Sequence, residues 1–187
     1  MKTLKSIYIL PLLTLFFVAC SNDDDAPEII NEEEVITTLT ATLVPVSGPT
    51  LTLTTRDLDG DGPNEPVVTV SGNFAANTTY NGSLNLLNET VSPPESITNE
   101  IEEEGDEHQF FFQATNNIAT FTYTDSDAND KPIGLNFRLT TGNAGNGTIT
   151  IILRHEPNKS ATGVEEGNIA NAGGETDISV TFNVTVQ

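Results

Sequence analysis

From residue 35 to the C-terminus, nearly every segment with apolar content alternates apolar and polar side chains with a period of two. That is the pattern of a strand with one face in a core and the other in solvent. Nine such runs are read as strands, at 35–45, 50–56, 67–71, 79–87, 108–115, 118–124, 133–141, 147–155 and 176–186. Thr, Val and Ile dominate them, and β-branched side chains suit a pleated surface. One stretch departs from the pattern. Residues 95–104 follow Pro93-Pro94 and set Ile97 and Ile101 four apart on one face of a short acidic helix, with a charged loop as the alternative.

The turn residues sharpen the topology. Asn116-Asn117 reads as a two-residue hairpin loop that tolerates positive φ, and Gly142 to Asn146 as a longer Gly-rich one, so the strands they join are expected to be neighbours. The expectation is a single all-β domain over 35–187, an antiparallel β-sandwich, Ig-like or related, of about eight or nine strands with at most one short helix near 95–104. Nothing supports a βαβ unit.

The first 34 residues are of a different kind. Lys2 and Lys5 precede an apolar run from Ile7 to Val18, of export-signal length rather than membrane-spanning length. Ala19 and the chain's single cysteine, Cys20, follow at once, as in a lipoprotein cleavage site, although Phe17 is bulkier than the usual Leu. Residues 1–19 are therefore read as a signal peptide and Cys20 as the lipidated residue; ordinary cleavage near Ala19, leaving a free thiol, is the alternative. Ser21-Asn22-Asp23-Asp24-Asp25 resembles an export signal to the outer face of the outer membrane, with a periplasm-facing anchor as the alternative. Residues 20–34, rich in acid and poor in apolar groups, read as a solvated tether.

Charge narrows the partners. Without residues 1–19 the chain keeps five basic and 27 acidic residues, a net charge of −22 over 168 residues. Such a surface repels nucleic acid and attracts cations, and it equally serves simple solvation. No cysteine is left to staple the domain, so packing and metal ions are what can hold it.

Two loops and two histidines carry the candidate chemistry. Asp57, Asp59 and Asp61 alternate, with Gly at the sixth position, as in the first half of an EF-hand calcium loop. The twelfth position is Val68 rather than Glu, leaving Glu65 as a substitute, and a polar hairpin is the plain alternative. Asp125, Asp127 and Asn129 repeat the theme without Gly and beside a lysine. His108 and His155 each adjoin a glutamate, Glu107 and Glu156, and a neutral imidazole with carboxylates suits Zn2+, Cu2+ or Ni2+. In an up-and-down meander from His108 to His155, the outer strands would stand roughly 14 Å apart in a flat sheet, too far to share an ion. Only curvature, a changed strand order or a folded-over acidic segment at 100–106 would bring the histidines together; otherwise they simply border strands.

Catalytic signatures are missing: there is no Gly-x-Ser-x-Gly elbow, no His-Glu-x-x-His and no phosphate-cradling Gly loop. A non-enzyme is expected. Without Trp, the chain lacks the aromatic platforms of sugar-binding modules. Phe110, Phe111 and Phe112 must point to both faces of their sheet, so one side is either a second core layer or an exposed contact patch.

Four segments, Asp57-Leu58-Asp59-Gly60-Asp61-Gly62, Asp106-Glu107-His108-Gln109-Phe110-Phe111-Phe112, Leu153-Arg154-His155-Glu156-Pro157 and Asn171-Ala172-Gly173-Gly174-Glu175-Thr176-Asp177, resemble those of a family of flavobacterial surface lipoproteins. Members are often labelled as type 1 periplasmic binding fold superfamily proteins. That label implies an α/β solute-binding protein, which this short chain without alternating helices contradicts. The resemblance implies a cell-envelope binding lipoprotein and assigns no residue a role. The resulting expectation is a surface lipoprotein, anchored in the outer membrane, that binds a metal cation in envelope uptake. The cation is either structural Ca2+ in the Asp loops or a transition metal near the histidines, and an outer-membrane receptor is a possible partner. The alternative is a structural or adhesive surface protein acting through a face such as the 110–112 strand.

Overall fold

The computed structural model describes residues 34–60 and 62–187; readings made on residues 1–33, including Cys20, and on Asp61 lie outside them. Among the described residues, ten strands form two antiparallel sheets, accompanied by one α-helix. The larger sheet contains β1 (Thr38–Pro45), β2 (Leu51–Arg56), β3 (Val67–Val70), β4 (Thr79–Asn88), β7 (Ala119–Tyr123) and β8 (Asn136–Thr141) in the order β3-β2-β1-β4-β8-β7. The two-residue β5 (Glu95–Ser96) also pairs with β4. The smaller sheet has the order β10-β9-β6, from β6 (His108–Ala114), β9 (Gly145–His155) and β10 (Glu175–Val186). All nine strands read from the alternation are present, and α1 (Ile97–Glu103) buries the two isoleucines that predicted it.

The core lies between the sheets, filled by the inward residues of each alternating run. Leu39, Ala41, Leu43, Leu53, Leu86, Phe137 and Leu139 face it from the larger sheet; Phe110, Ile149, Ile151, Leu153 and Phe182 face it from the smaller one. Each such side chain taken out of water contributes about 1.5–3 kcal/mol, which a sandwich without disulfides requires. Gly82 of β4 leaves the space that the Phe137 ring occupies, since a Cβ there would lie 2.4 Å from it.

The turns do not make the expected neighbours. Asn116 and Asn117 do adopt positive φ, 56° and 52°. Yet β6 belongs to the small sheet and β7 to the large one, so this turn crosses between layers rather than closing a hairpin. The Gly-rich loop does the same between β8 and β9. With β7 and β8 removed to the other layer, β9 pairs directly with β6, and the meander from His108 to His155 does not form. Local turn chemistry specifies backbone angles; which sheet receives the next strand is settled by where its apolar face can be buried.

The three phenylalanines split between two cores. Phe110 and Phe112 face the inter-sheet core, where the Phe112 ring stacks on Phe121 at 5.1 Å. Phe111, on the outer face, is wholly buried with Val164 and Ala172 beneath the 157–174 segment. The second core layer is therefore present, and this strand offers no exposed adhesive face. Phe111→Ala should lower stability by about 3–5 kcal/mol, as expected for a large buried aromatic ring. Urea unfolding at neutral pH checks this; a change under 1 kcal/mol would mean that the outer layer is not packed on the sheet.

Candidate metal centre

The pairing of β6 with β9 places His108 directly opposite His155. Both lie on the inward face, in register with Phe110 and Leu153, at the end of the sheet where the core stops. Their rings sit 4.5 Å apart, tilted by 31°, and both residues are buried. Gly174 holds the neighbouring backbone close: at φ +67, a Cβ there would lie 2.0 Å from the His155 carbonyl oxygen.

Two carboxylates complete the cluster. The β9–β10 ladder shifts register between Thr176 and Ile178, so Asp177 is an extra residue opposite the Arg154–Leu153 step. A bulge of this kind re-aims a side chain, here turning an aspartate toward the histidines. The other is Glu34, the first described residue and the last one that composition placed in the solvated tether. Its side chain is only 6% exposed, and its Oε1 lies 2.6 Å from His108 Nε2. His155 Nδ1 is 3.7 Å from Glu34 Oε2 and 3.9 Å from Asp177 Oδ1. One donor atom from each of the four residues falls within 4.8 Å of every other, and among the described residues this is the one such group.

Electrostatics constrain the protonation states. His108 Nδ1 lies 3.1 Å from the carbonyl oxygen of Glu104, which can only accept, so Nδ1 carries a hydrogen. Nε2 faces a carboxylate, so His108 either holds a second proton or directs that lone pair to a cation. Burial pulls its pKa down, but the hydrogen bonds to Glu34 and the Glu104 carbonyl outweigh it and leave the pKa raised. Burial likewise pushes Glu34 up, and its bond with His108 and the charge of both imidazoles bring it below the ordinary glutamate value. Glu34 Oε2 and His155 Nε2 remain buried without a hydrogen bond. An unmade bond on a buried polar atom costs about 1–3 kcal/mol, more for a charged group.

Those separations suit a bound ion. Nitrogen and oxygen ligands 2.0–2.2 Å from a tetrahedral zinc lie roughly 3.3–3.5 Å apart. The 3.7 and 3.9 Å gaps are too long for hydrogen bonds and close to that spacing. The Glu34–His108 contact must open by somewhat under 1 Å as the ion replaces the proton between them. The Glu104 carbonyl fixes the His108 tautomer, and Glu107 Oε2, 3.9 Å from His155 Nε2, stands where an outer carboxylate would orient the second ring.

The other sequence-predicted residues do not join this cluster. Glu156 is exposed, at a φ of 48° in the bend that ends β9, and its backbone N–H donates across to the Glu107 carbonyl at 2.6 Å. In the first Asp loop, Asp57 Oδ1 accepts the Asp59 N–H at 3.3 Å, and Asp59 Oδ2 accepts the Asn64 side-chain amide at 2.6 Å. That amide is the main reason the Asp59 pKa is lowered. Glu65 is exposed, and Asp61 lies outside the described residues. The loop is stitched by its own Asx contacts, as a polar turn would be.

The second Asp loop already holds a cation, and it is a lysine. Asp125 accepts the N–H groups of Gly134 and Asn136, one on each oxygen, at 2.8 and 2.7 Å. Asp127 Oδ1 accepts the N–H groups of Asn129 and Lys131, while Oδ2 accepts from Lys159 Nζ at 2.9 Å. Lys159 Nζ also donates to the carbonyls of Pro132, at 2.9 Å, and Gly105. The ammonium thus takes the oxygen ligands a calcium ion would need. Burial lowers the Lys159 pKa despite its carboxylate neighbours, yet three surrounding acceptors require the protonated form. For Asp127, burial raises the pKa, but the bonds from Lys159 and the backbone together hold it below the ordinary 3.8.

The chain matches no protein-family model, no curated protein and no solved structure.

Sequence reasoning missed Glu34 and Asp177. Glu34 is one of three consecutive glutamates in an acidic run, with no local mark to single it out. Asp177 precedes the alternation of Ile178, Val180 and Phe182, which assigns it to the solvent face; only the bulge reverses that.

The Asp127–Lys159 pair yields a stability prediction. Asp127→Ala strands a buried ammonium and should cost about 3–5 kcal/mol in urea unfolding at pH 7. Because the folded Asp127 pKa is depressed, its contribution is fully present above the unfolded value of 3.8 and is lost as pH falls through the lower folded value. Between pH 5 and 2 the wild type should therefore lose more stability than Asp127→Ala. Parallel curves would show that the pair does not stabilise the fold.

Proposed function

We propose that this chain is a lipid-anchored envelope protein that binds one divalent transition metal ion through His108, His155, Glu34 and Asp177, and that it is a binding protein rather than an enzyme. The observation that carries this reading is the convergence, at a buried sheet end, of two imidazole nitrogens and two carboxylates. Two nitrogen donors favour zinc, copper or nickel over calcium, which takes six to eight oxygens, and a four-donor set suits zinc best. Four protein donors close a tetrahedral shell. Catalytic zinc sites instead keep a position open for water or substrate, which supports binding over catalysis.

The membrane side of the proposal rests on the sequence. Lys2, Lys5, the apolar run and Ala19-Cys20 support export and lipidation, and the acidic residues after Cys20 support display on the outer face of the outer membrane. The resemblance to flavobacterial surface lipoproteins supports a binding role in the cell envelope; the metal cluster makes the ligand a cation, which in this proposal an outer-membrane receptor would take onward. The negative surface raises the local concentration of cations without selecting among them. In this reading calcium has no place in the Asp125–Asp127 loop, where Lys159 is the resident cation.

Calorimetric titration of the chelator-treated protein with zinc, copper and nickel tests this. Zinc should bind one to one, raise the melting temperature, and lose at least about a hundredfold in affinity in His108→Ala/His155→Ala, in line with removing ligands rather than outer partners. Asp59→Ala should leave the titration unchanged. Absence of zinc binding, or zinc binding indifferent to the histidines, would sink the proposal. Separately, a radiolabelled fatty acid should be incorporated into the chain and lost in Cys20→Ala; equal labelling of both would remove the lipid anchor.

A further inference from the structure

We infer that Glu34 is a metal-operated clasp: three strand-borne ligands form a standing half-site, and the ion draws the segment carrying Glu34 over it as the fourth ligand. The inference rests on the metal reading above and concerns how that site opens and closes.

The four ligands are not held alike. His108 and His155 are paired in the β6–β9 ladder, and Asp177 is the bulge residue of β10, flanked on both sides by the ladder pairs of Thr176 and Ile178 with β9. Their mutual positions are set by backbone hydrogen bonds that do not depend on an ion. Glu34 stands outside any ladder, four residues before β1 begins at Thr38. The first backbone anchor of its segment is the Thr37 N–H to the Leu87 carbonyl, at 3.0 Å; no backbone-to-backbone bond joins residues 34–36 to another described residue. Val35 is 53% exposed, while Ile36 packs against the core. The carboxylate on the histidines and the Ile36 contact are therefore what hold this segment in place.

The carboxylate is also where an ion has most to add. Glu34 Oε1 meets His108, whereas Oε2 is buried without a hydrogen bond, 3.7 Å from His155 Nδ1. A cation between these atoms satisfies the stranded oxygen and ties the segment to two strands at once. The segment then covers the ion, so the ion leaves only when Glu34 withdraws. β1 belongs to the large sheet and the other three ligands to the small one, so closure also fastens one layer to the other at this end.

Amide hydrogen exchange of the whole protein, with and without zinc and with bound zinc counted by mass spectrometry of the metal, tests the clasp. Zinc should slow exchange of the Thr37 N–H, the first bonded amide of this segment, at least tenfold while changing the β9 amides little. Glu34→Ala should bind zinc more weakly and surrender it to a chelator at least tenfold faster. If wild type holds one zinc but the Thr37 N–H exchanges as before, or if Glu34→Ala releases zinc at the wild-type rate, the clasp is wrong and the metal site stands. If wild type holds no zinc, both fall. Should Glu34→Ala retain no zinc, the wild-type exchange comparison decides alone.

Discussion

The direct pairing of β6 with β9 is the constraint on which the rest of this molecule depends. It sets His108 against His155 in one register, at the end of the small sheet and on the face that looks into the core. It also leaves β9 with a free side for β10, whose bulge can deliver Asp177 to the same place. The pairing exists because β7 and β8 join the other layer, where Phe121 and Phe137 pack beside Phe112. With β8 laddered to β4 and β7 to β8 in the large sheet, β6 and β9 are left to pair and bring two imidazoles together at the end of the small one.

Two buried acids in this fold meet the same problem in different ways. Asp127, with a side chain 1% exposed, must have a cation or hydrogen-bond donors, because an isolated carboxylate out of water is strongly disfavoured. It has both, from backbone N–H groups and the Lys159 ammonium, and the loop is complete as it stands. Glu34 has one good partner and one stranded oxygen beside a second imidazole. The first arrangement is a structural ion pair with no vacancy in its donor set. The second leaves donors facing each other across gaps that a small divalent ion would fill. In the sequence the alternating aspartates are conspicuous, whereas a glutamate in an acidic run carries no local mark.

What was legible in the sequence follows the reach of each physical signal. Side-chain alternation is a local property, and strands from Thr38–Pro45 to Glu175–Val186 follow it closely. Ile97 and Ile101 marked the helix for the same reason. Strand order is not local: Asn116-Asn117 dictates a left-handed turn whether the next strand stays in the sheet or crosses the sandwich. The candidate site was therefore half visible. The two histidines stand out in the sequence, and the changed strand order that unites them is one of three arrangements that bring them together. Asp177 was hidden by a one-residue bulge, and Glu34 by a contact 74 residues away in the chain.

Surface charge and buried donors divide the work in the proposed function. The net charge of −22 on residues 20–187 raises the concentration of every cation near the protein, sodium and calcium included, and that attraction is screened within about 8–10 Å at physiological salt. It cannot choose among ions. Choice requires donors whose chemistry discriminates, and the imidazoles of His108 and His155, the only two histidines in the chain, are nitrogen ligands that favour zinc, copper or nickel. Burying them at the sheet end removes competing water and fixes their separation by the ladder rather than by flexible loops. The acid-rich exterior and the two-histidine interior are in this sense consecutive stages, the first gathering cations and the second selecting one.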